Sequence, residues 1–205
     1  MPDIKLVLLD FGGVIAEEGF KKGITDLGVK FDFDIDSLKK TAFDLVYDCG
    51  FTSGKSDSDE FWNLFKKKTG IKENNDELTE FILERFVIRP EMINFAKWLK
   101  TKGVRTAILS DQTNWLDILD RKNDFYRYFD RVFNSYNLGI TKKEPQIFDL
   151  VLEEMDESPE NTLFADDHNP HIERASQKKI NAVLFKDLND FKKKIKEEYF
   201  EDAQF

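Results

Sequence analysis

Three apolar stretches of this chain end in the same kind of residue. Leu6–Leu9 runs into Asp10, Ala107–Leu109 into Ser110 and Asp111, and Thr162–Ala165 into Asp166 and Asp167. Taken alone, each acid reads as the cap of a following helix, a common place for Asp. Three sets at the ends of separate runs favour one shared site instead. Carboxylates that converge repel one another and raise each other's pKa unless a cation compensates them. The chain has two histidines, His168 and His171, and one cysteine, Cys49, so the cation that suits this group is a hard one held by oxygen, Mg²⁺ before Zn²⁺. A basic element, Gly139–Pro145, sets Lys142 and Lys143 just before a helix start, where a lysine can reach over a sheet edge and offset the acids. Gly12 and Gly13 let the chain turn tightly after Asp10, and Gly12 can bring its carbonyl close to a ligand or metal.

The elements that must position these residues alternate. Five short apolar or β-branched runs, Ile4–Leu9, Arg105–Leu109, Arg131–Phe133, Thr162–Ala165 and Ala182–Phe185, have the length of buried strands. Between the later ones lie helical patterns: one opened by Pro90 and stopped at Gly103, one after Pro145, one at Asn169-Pro170, and a C-terminal stripe of Leu188, Phe191, Ile195 and Tyr199. Strand and helix alternating in this way predict an α/β fold, a Rossmann-like parallel sheet covered on both faces, with the strand-end acids along one edge. Residues 16–88 break the alternation. Three helical stripes occupy them, around Leu38–Val46, around Phe61–Phe65 behind a Ser56/Asp59 capping box, and from about Asn75 to Phe86. The division this predicts is a core of residues 1–15 and 89–205 with a helical cap, 16–88, inserted in it.

Composition narrows the function. Lys plus Arg number 31 against 40 Asp plus Glu, a formal charge of −9, which argues against general nucleic-acid or anionic-membrane binding. The 20 Phe and a 40% apolar content supply enough surface for a packed core. A lone Cys49 excludes an internal disulfide. The apolar run after Met1 meets Asp10 too soon for a signal segment, and no later run is long enough to span a bilayer, so a cytoplasmic protein is expected.

LVLLDFGGV, AILSD, GITKKEPQIF and LFADD, in this order and spacing, resemble the four motifs of the haloacid dehalogenase superfamily, whose members are mostly phosphatases. The insertion after the first motif resembles the α-helical cap of one large branch. The resemblance implies that Asp10 is the nucleophile that forms an aspartyl-phosphate, and that Ser110 and Asp111 belong to the phosphate-binding element. It implies that Lys142 balances the charge of Asp10 and the phosphate, Pro145 aligning with the last Pro of the family's Lys-Pro-Asp-Pro. Asp10, the Gly12 carbonyl, Asp166 and Asp167 are then the implied Mg²⁺ site. The substrate expected is a small phosphorylated metabolite, with neither nucleic acid nor membrane as partner.

One position departs from the pattern. The usual first motif is Asp-x-Asp, and its second Asp gives a proton to the leaving group and then activates water; here Gly12 stands in that place. General acid/base help is worth about 10²–10⁴ in rate, so the gap weighs most on alkoxide leaving groups. It leaves two alternatives to the phosphatase: a catalytically impaired phosphate-binding or interaction protein, and a metal-independent 2-haloacid dehalogenase. His168 and His171 follow the paired acids, but their place in the first turn of the Asn169-Pro170 helix predicts that both face solvent. Asp32, Asp34 and Asp36 have the rhythm of a calcium loop but lack its Gly and Glu, so Asp36 or Ser37 is expected to cap a helix. Substrate choice is expected to lie in the insertion, where Glu17, Glu18, Phe20 and the Cys49–Lys55 turn are candidates.

Overall fold

The computed structural model describes residues 1–205. Its strands are β1 (Leu6–Leu9), β2 (Arg105–Ser110), β3 (Arg131–Asn134), β4 (Thr162–Asp166) and β5 (Asn181–Leu184). They form one parallel sheet in the order β3-β2-β1-β4-β5, close to the five predicted runs. From β1 the chain winds to one side through β2 and β3, and to the other through β4 and β5. The direction therefore reverses beside the C-terminal end of β1, the place where open α/β sheets leave a crevice.

Side chains alternate across this sheet and divide the apolar interior in two. Val7, Leu9, Ile108, Leu163 and Ala165 face a large core shared with α5 (Pro90–Thr101), α6 (Trp115–Asn123) and α10 (Leu188–Lys194). Leu6, Leu8, Ala107, Leu109 and Phe164 face a smaller one, covered by α8 (Gln146–Glu154) and α9 (Asn169–Gln177). A short α7 (Ser135–Leu138) follows β3. The chain after α10 continues in a wider turn through Tyr199. No helix is long and apolar enough to cross a membrane.

Between β1 and α5 stand four helices, where the stripes predicted three: α1 (Gly19–Lys30), α2 (Ile35–Asp48), α3 (Ser58–Thr69) and α4 (Asn75–Leu83). Glycine lowers helix propensity, and α1 contains three, which hid it. Packing explains two of them. A Cβ on Gly19 would lie 2.4 Å from the Phe86 ring, and one on Gly23 2.4 Å from Ile82, so their absence lets α1 lie against α4 and the segment after it. The caps also differ from the expected ones. Asp34, and neither Asp36 nor Ser37, caps α2 through Ser37 N–H, and Asp57 replaces the Ser56/Asp59 box by accepting from Glu60 N–H. In each case the residue with the right backbone conformation lies just before the first helical turn. Phe20, Phe51, Phe61 and Trp62 pack on Trp115 of α6, with the two indoles stacked at 5.9 Å, so the apolar core is continuous from these helices into the sheet layer.

Arg89 ties the loop after β1 to the start of α5. Its guanidinium donates to the carbonyls of Gly13, Val14 and Ala16 at 2.6–3.0 Å and pairs with Glu17 at 3.1 Å. Nη1 takes the carbonyls and Nη2 the carboxylate, a spread that a compact ammonium does not reproduce. Arg89→Lys is expected to cost about 1–3 kcal/mol, read as the midpoint shift in urea unfolding, by leaving half-buried carbonyls without a donor.

Candidate active site

Register sets the acids side by side. Leu9 pairs with Ile108 on one flank and Ala165 on the other, so Asp10 and Asp166 leave the sheet level with each other and Ser110 stands one strand away. Asp10 Oδ1 accepts from Phe11 N–H at 2.7 Å and Ser110 Oγ–H at 2.8 Å, and lies 3.0 Å from Lys142 Nζ. Asp10 Oδ2 accepts no hydrogen bond from the protein. One carboxylate oxygen is thus fixed by three donors while the other is left open.

Lys142 is fully buried and bridges Asp10 to Asp166, whose Oδ2 is 2.5 Å from its ammonium. Its backbone N–H donates to Asp111 Oδ1 at 2.8 Å, which fixes the loop that delivers it. The Asp111 carboxylate is therefore occupied as an acceptor, with Tyr47 O–H donating to its other oxygen at 3.4 Å. Lys143, by contrast, is exposed, with its ammonium 3.2 Å above the Tyr47 ring.

Oxygens of Asp10, Asp166 and Asp167 lie within 4.8 Å of one another. Asp167 follows β4 over Gly13, whose φ is +80°, and a Cβ there would sit 2.1 Å from the Asp167 carboxylate. Gly13 is therefore glycine on two steric grounds. At Gly12 the situation is the reverse: its φ is not positive, and a Cβ would meet nothing nearer than 3.6 Å. A side chain at position 12 fits.

Charge in this cluster is unevenly held. Burial first, then the charges of Asp166 and Asp167, push Asp10 up to about 8 against the pull of Lys142. Burial also acts against ionised Asp166, but Lys142 and then His171 outweigh it and hold its carboxyl below the usual range. Burial and the Asp166 charge raise Asp167. Burial opposes the Lys142 ammonium, yet Asp10 and Asp166 keep it charged well above the ordinary lysine value. An all-oxygen set with two carboxylates pushed upward fits a hard divalent cation.

His171 corrects the sequence expectation. It is buried, with Nδ1 3.1–3.2 Å from both Asp166 oxygens and Nε2 4.0 Å from Asp111. The first turn of α9 points its ring inward over the sheet edge, a direction that helical periodicity over so few residues does not reveal. His168 is exposed as expected, though it lines the cavity rim, and burial with the neighbouring His171 lowers its pKa.

The cavity above these groups measures about 370 Å³ and reaches from Asp10 and Ser110 to Tyr47, Lys21 and Glu18 on α1, α2 and the turn before them. Glu18 had been one candidate among several. It caps α1, Oε2 accepting from Lys21 N–H at 2.7 Å, while Oε1 has no protein partner. Burial, reinforced by the Asp167 charge and opposed by the Lys21 amide, lifts its carboxyl to about 7. Glu17 turns the other way, to Arg89, and Phe20 is buried in the aromatic cluster. Tyr47, whose phenol burial and the Asp111 charge raise, was not foreseen; only its apolar stripe was legible.

Residues 4–175 match the family model of haloacid dehalogenase-like hydrolases. Among curated relatives, bifunctional epoxide hydrolase 2 of Rattus norvegicus is 31% identical over 110 residues, 50% of this chain and 19% of that protein. The chain thus spans only about a fifth of that relative. D-ribitol-5-phosphate phosphatase of Bacteroides thetaiotaomicron is 27% identical over 181 residues, 82% of this chain and 85% of its own length. A solved HAD family enzyme of the same organism superposes with a TM-score of 0.72 at 21% identity, covering 92% and 98% of the two chains. Its complex with magnesium and inorganic phosphate gives 0.68 at 22%, with the same coverage. At such identity these structures establish the fold: the parallel sheet and its flanking helices are shared.

Proposed function

Because this chain belongs to the haloacid dehalogenase-like hydrolases, we propose that it is a phosphomonoester phosphatase acting on a small phosphorylated metabolite through an aspartyl-phosphate on Asp10. The observation that carries this reading is the state of Asp10, with one oxygen fixed by Phe11, Ser110 and Lys142 and the other open to the cavity. Attack by Oδ2 on phosphorus forms the acyl phosphate and breaks the bond to the leaving oxygen; water then cleaves the acyl phosphate and restores Asp10. In this reading Ser110 Oγ holds a phosphoryl oxygen, and the Lys142 ammonium offsets the charge that gathers there. Asp111 serves this element by fixing the Lys142 loop.

Asp10, Asp166 and Asp167, with the Gly12 carbonyl, would hold Mg²⁺. When bound, the ion supplies the positive charge that lets an anionic carboxylate approach an anionic phosphate. Residues 16–88 act in this reading as a cap whose α1 and α2 close the far side of the cavity. The names of the ribitol phosphate enzyme and of the magnesium and phosphate complex support the same class of substrate and cofactor.

The test is turnover of p-nitrophenyl phosphate. Removing metal with EDTA is expected to lower the rate at least about 10²-fold, and Mg²⁺ to restore it. Metal-independent turnover of a 2-haloacid would overturn the proposal, as would failure of BeF₃⁻ to bind in an Asp10-dependent way.

A further inference from the structure

Phosphoester cleavage with an alkoxide leaving group needs a proton donor, and residue 12, two beyond the nucleophile, has no side chain to be one. Gly12 is not forced by crowding, since a Cβ there would be in ordinary contact. What stands beside that empty place is a carboxyl from elsewhere in the chain: Glu18 Oε1 is 3.8 Å from where the Gly12 Cβ would be. A carboxyl borne at position 12 and the carboxyl of Glu18 would thus occupy adjoining space on the wall of the same cavity. Resting on the phosphatase reading above, we propose that Glu18 is the general acid and base of this enzyme, supplied from the start of α1 in place of a residue at position 12.

The step balances without another reactant. As Asp10 Oδ2 bonds to phosphorus, the phosphorus–oxygen bond to the leaving group breaks, its electron pair goes to that oxygen, and the proton on Glu18 Oε1 follows. In the second half, water attacks the acyl phosphate and gives its proton to the Glu18 carboxylate, which ends as it began. Oε1 is available for both transfers because the cap of α1 uses only Oε2. Glu18 lines the same cavity as Asp10 and Ser110, so its free oxygen faces the space where the ester would bind. The other candidates along the wall are engaged or badly placed. Tyr47 O–H donates to Asp111, and the Lys143 ammonium lies on the Tyr47 ring.

Glu18→Gln keeps an oxygen for the Lys21 N–H and removes the titrating carboxyl. Wild type and variant are compared by rapid mixing on p-nitrophenyl phosphate, whose leaving group needs no proton, and in steady state on a panel of polyol and sugar phosphates that includes D-ribitol 5-phosphate. The expected result for the variant on the aryl ester is a burst of nitrophenol equal to the enzyme present, followed by turnover about 10²–10⁴-fold slower. On the alkyl esters the expected result is a loss of similar size with no accumulated phosphoenzyme. A purely structural role for Glu18 would lower burst and steady state together, or neither, and either outcome overturns the proposal. So would a wild-type enzyme that hydrolyses the aryl ester but no member of the alkyl panel. Wild type with no Asp10-dependent turnover of any phosphate ester instead overturns the phosphatase reading.

Discussion

Asp10→Asn is expected to lower turnover of p-nitrophenyl phosphate by about 10⁴-fold or more while leaving the protein folded. An amide does not attack phosphorus, so the covalent half of the reaction is lost outright, and a single member of such a constellation often carries most of its effect. Stability should move little, and for a reason visible in the site. Asn retains Oδ1 for Phe11 N–H, Ser110 O–H and the Lys142 ammonium. It also resembles the neutral carboxyl that the surroundings favour, since burial and two neighbouring acids raise Asp10 to about 8. Equal melting temperatures within a few degrees, with activity lost and no acid-stable phosphoenzyme, would separate chemistry from folding. Retained turnover would remove Asp10 from the mechanism.

Lys142→Met is expected to cost both activity and structure. The ammonium contacts both buried carboxylates, Asp10 at 3.0 Å and Asp166 at 2.5 Å. Taking one partner from a buried ion pair leaves uncompensated charge, which typically costs about 3–5 kcal/mol. For a chain of this size that corresponds to a fall in Tm of roughly 10 °C. Asp166→Asn in the same background should recover much of the loss, because the charge left without a partner is then removed, and a double-mutant cycle measures the coupling. Lys143→Met is the contrast: exposed and resting on Tyr47, it should change stability by less than about 0.5 kcal/mol. If the two variants behaved alike, the assignment of the buried lysine would be wrong.

These two lysines show how far the sequence could be read. Both precede the helix at Pro145, and alignment with a family pattern was needed to choose Lys142; the structure buries Lys142 between Asp10 and Asp166 and leaves Lys143 exposed. Strand ends were legible because a buried parallel strand is a short apolar run, and what terminates it is visible as a change of residue type. Helix α1 was not, since its glycines suit contacts with Phe86 and Ile82 that no local rule contains. Nor was α6, whose Trp115 is drawn inward by Trp62 and Phe51 from the other side of the core. His171 sits two positions beyond a helix start, where turning inward or outward depends on Asp166 being beneath it.

By itself the sequence determined the alternation of strand and helix and the acids at the strand ends. Those follow from periodicity and residue type, which act over a few neighbours. Tertiary structure decided what each charge faces. It buried Lys142 between two carboxylates, turned His171 onto Asp166, made Gly13 the glycine that space demands and left Gly12 with room to spare. It also carried Glu18 to the cavity wall beside Gly12. Such pairings depend on distances across the fold, and charge and burial act through space with no regard for position along the chain.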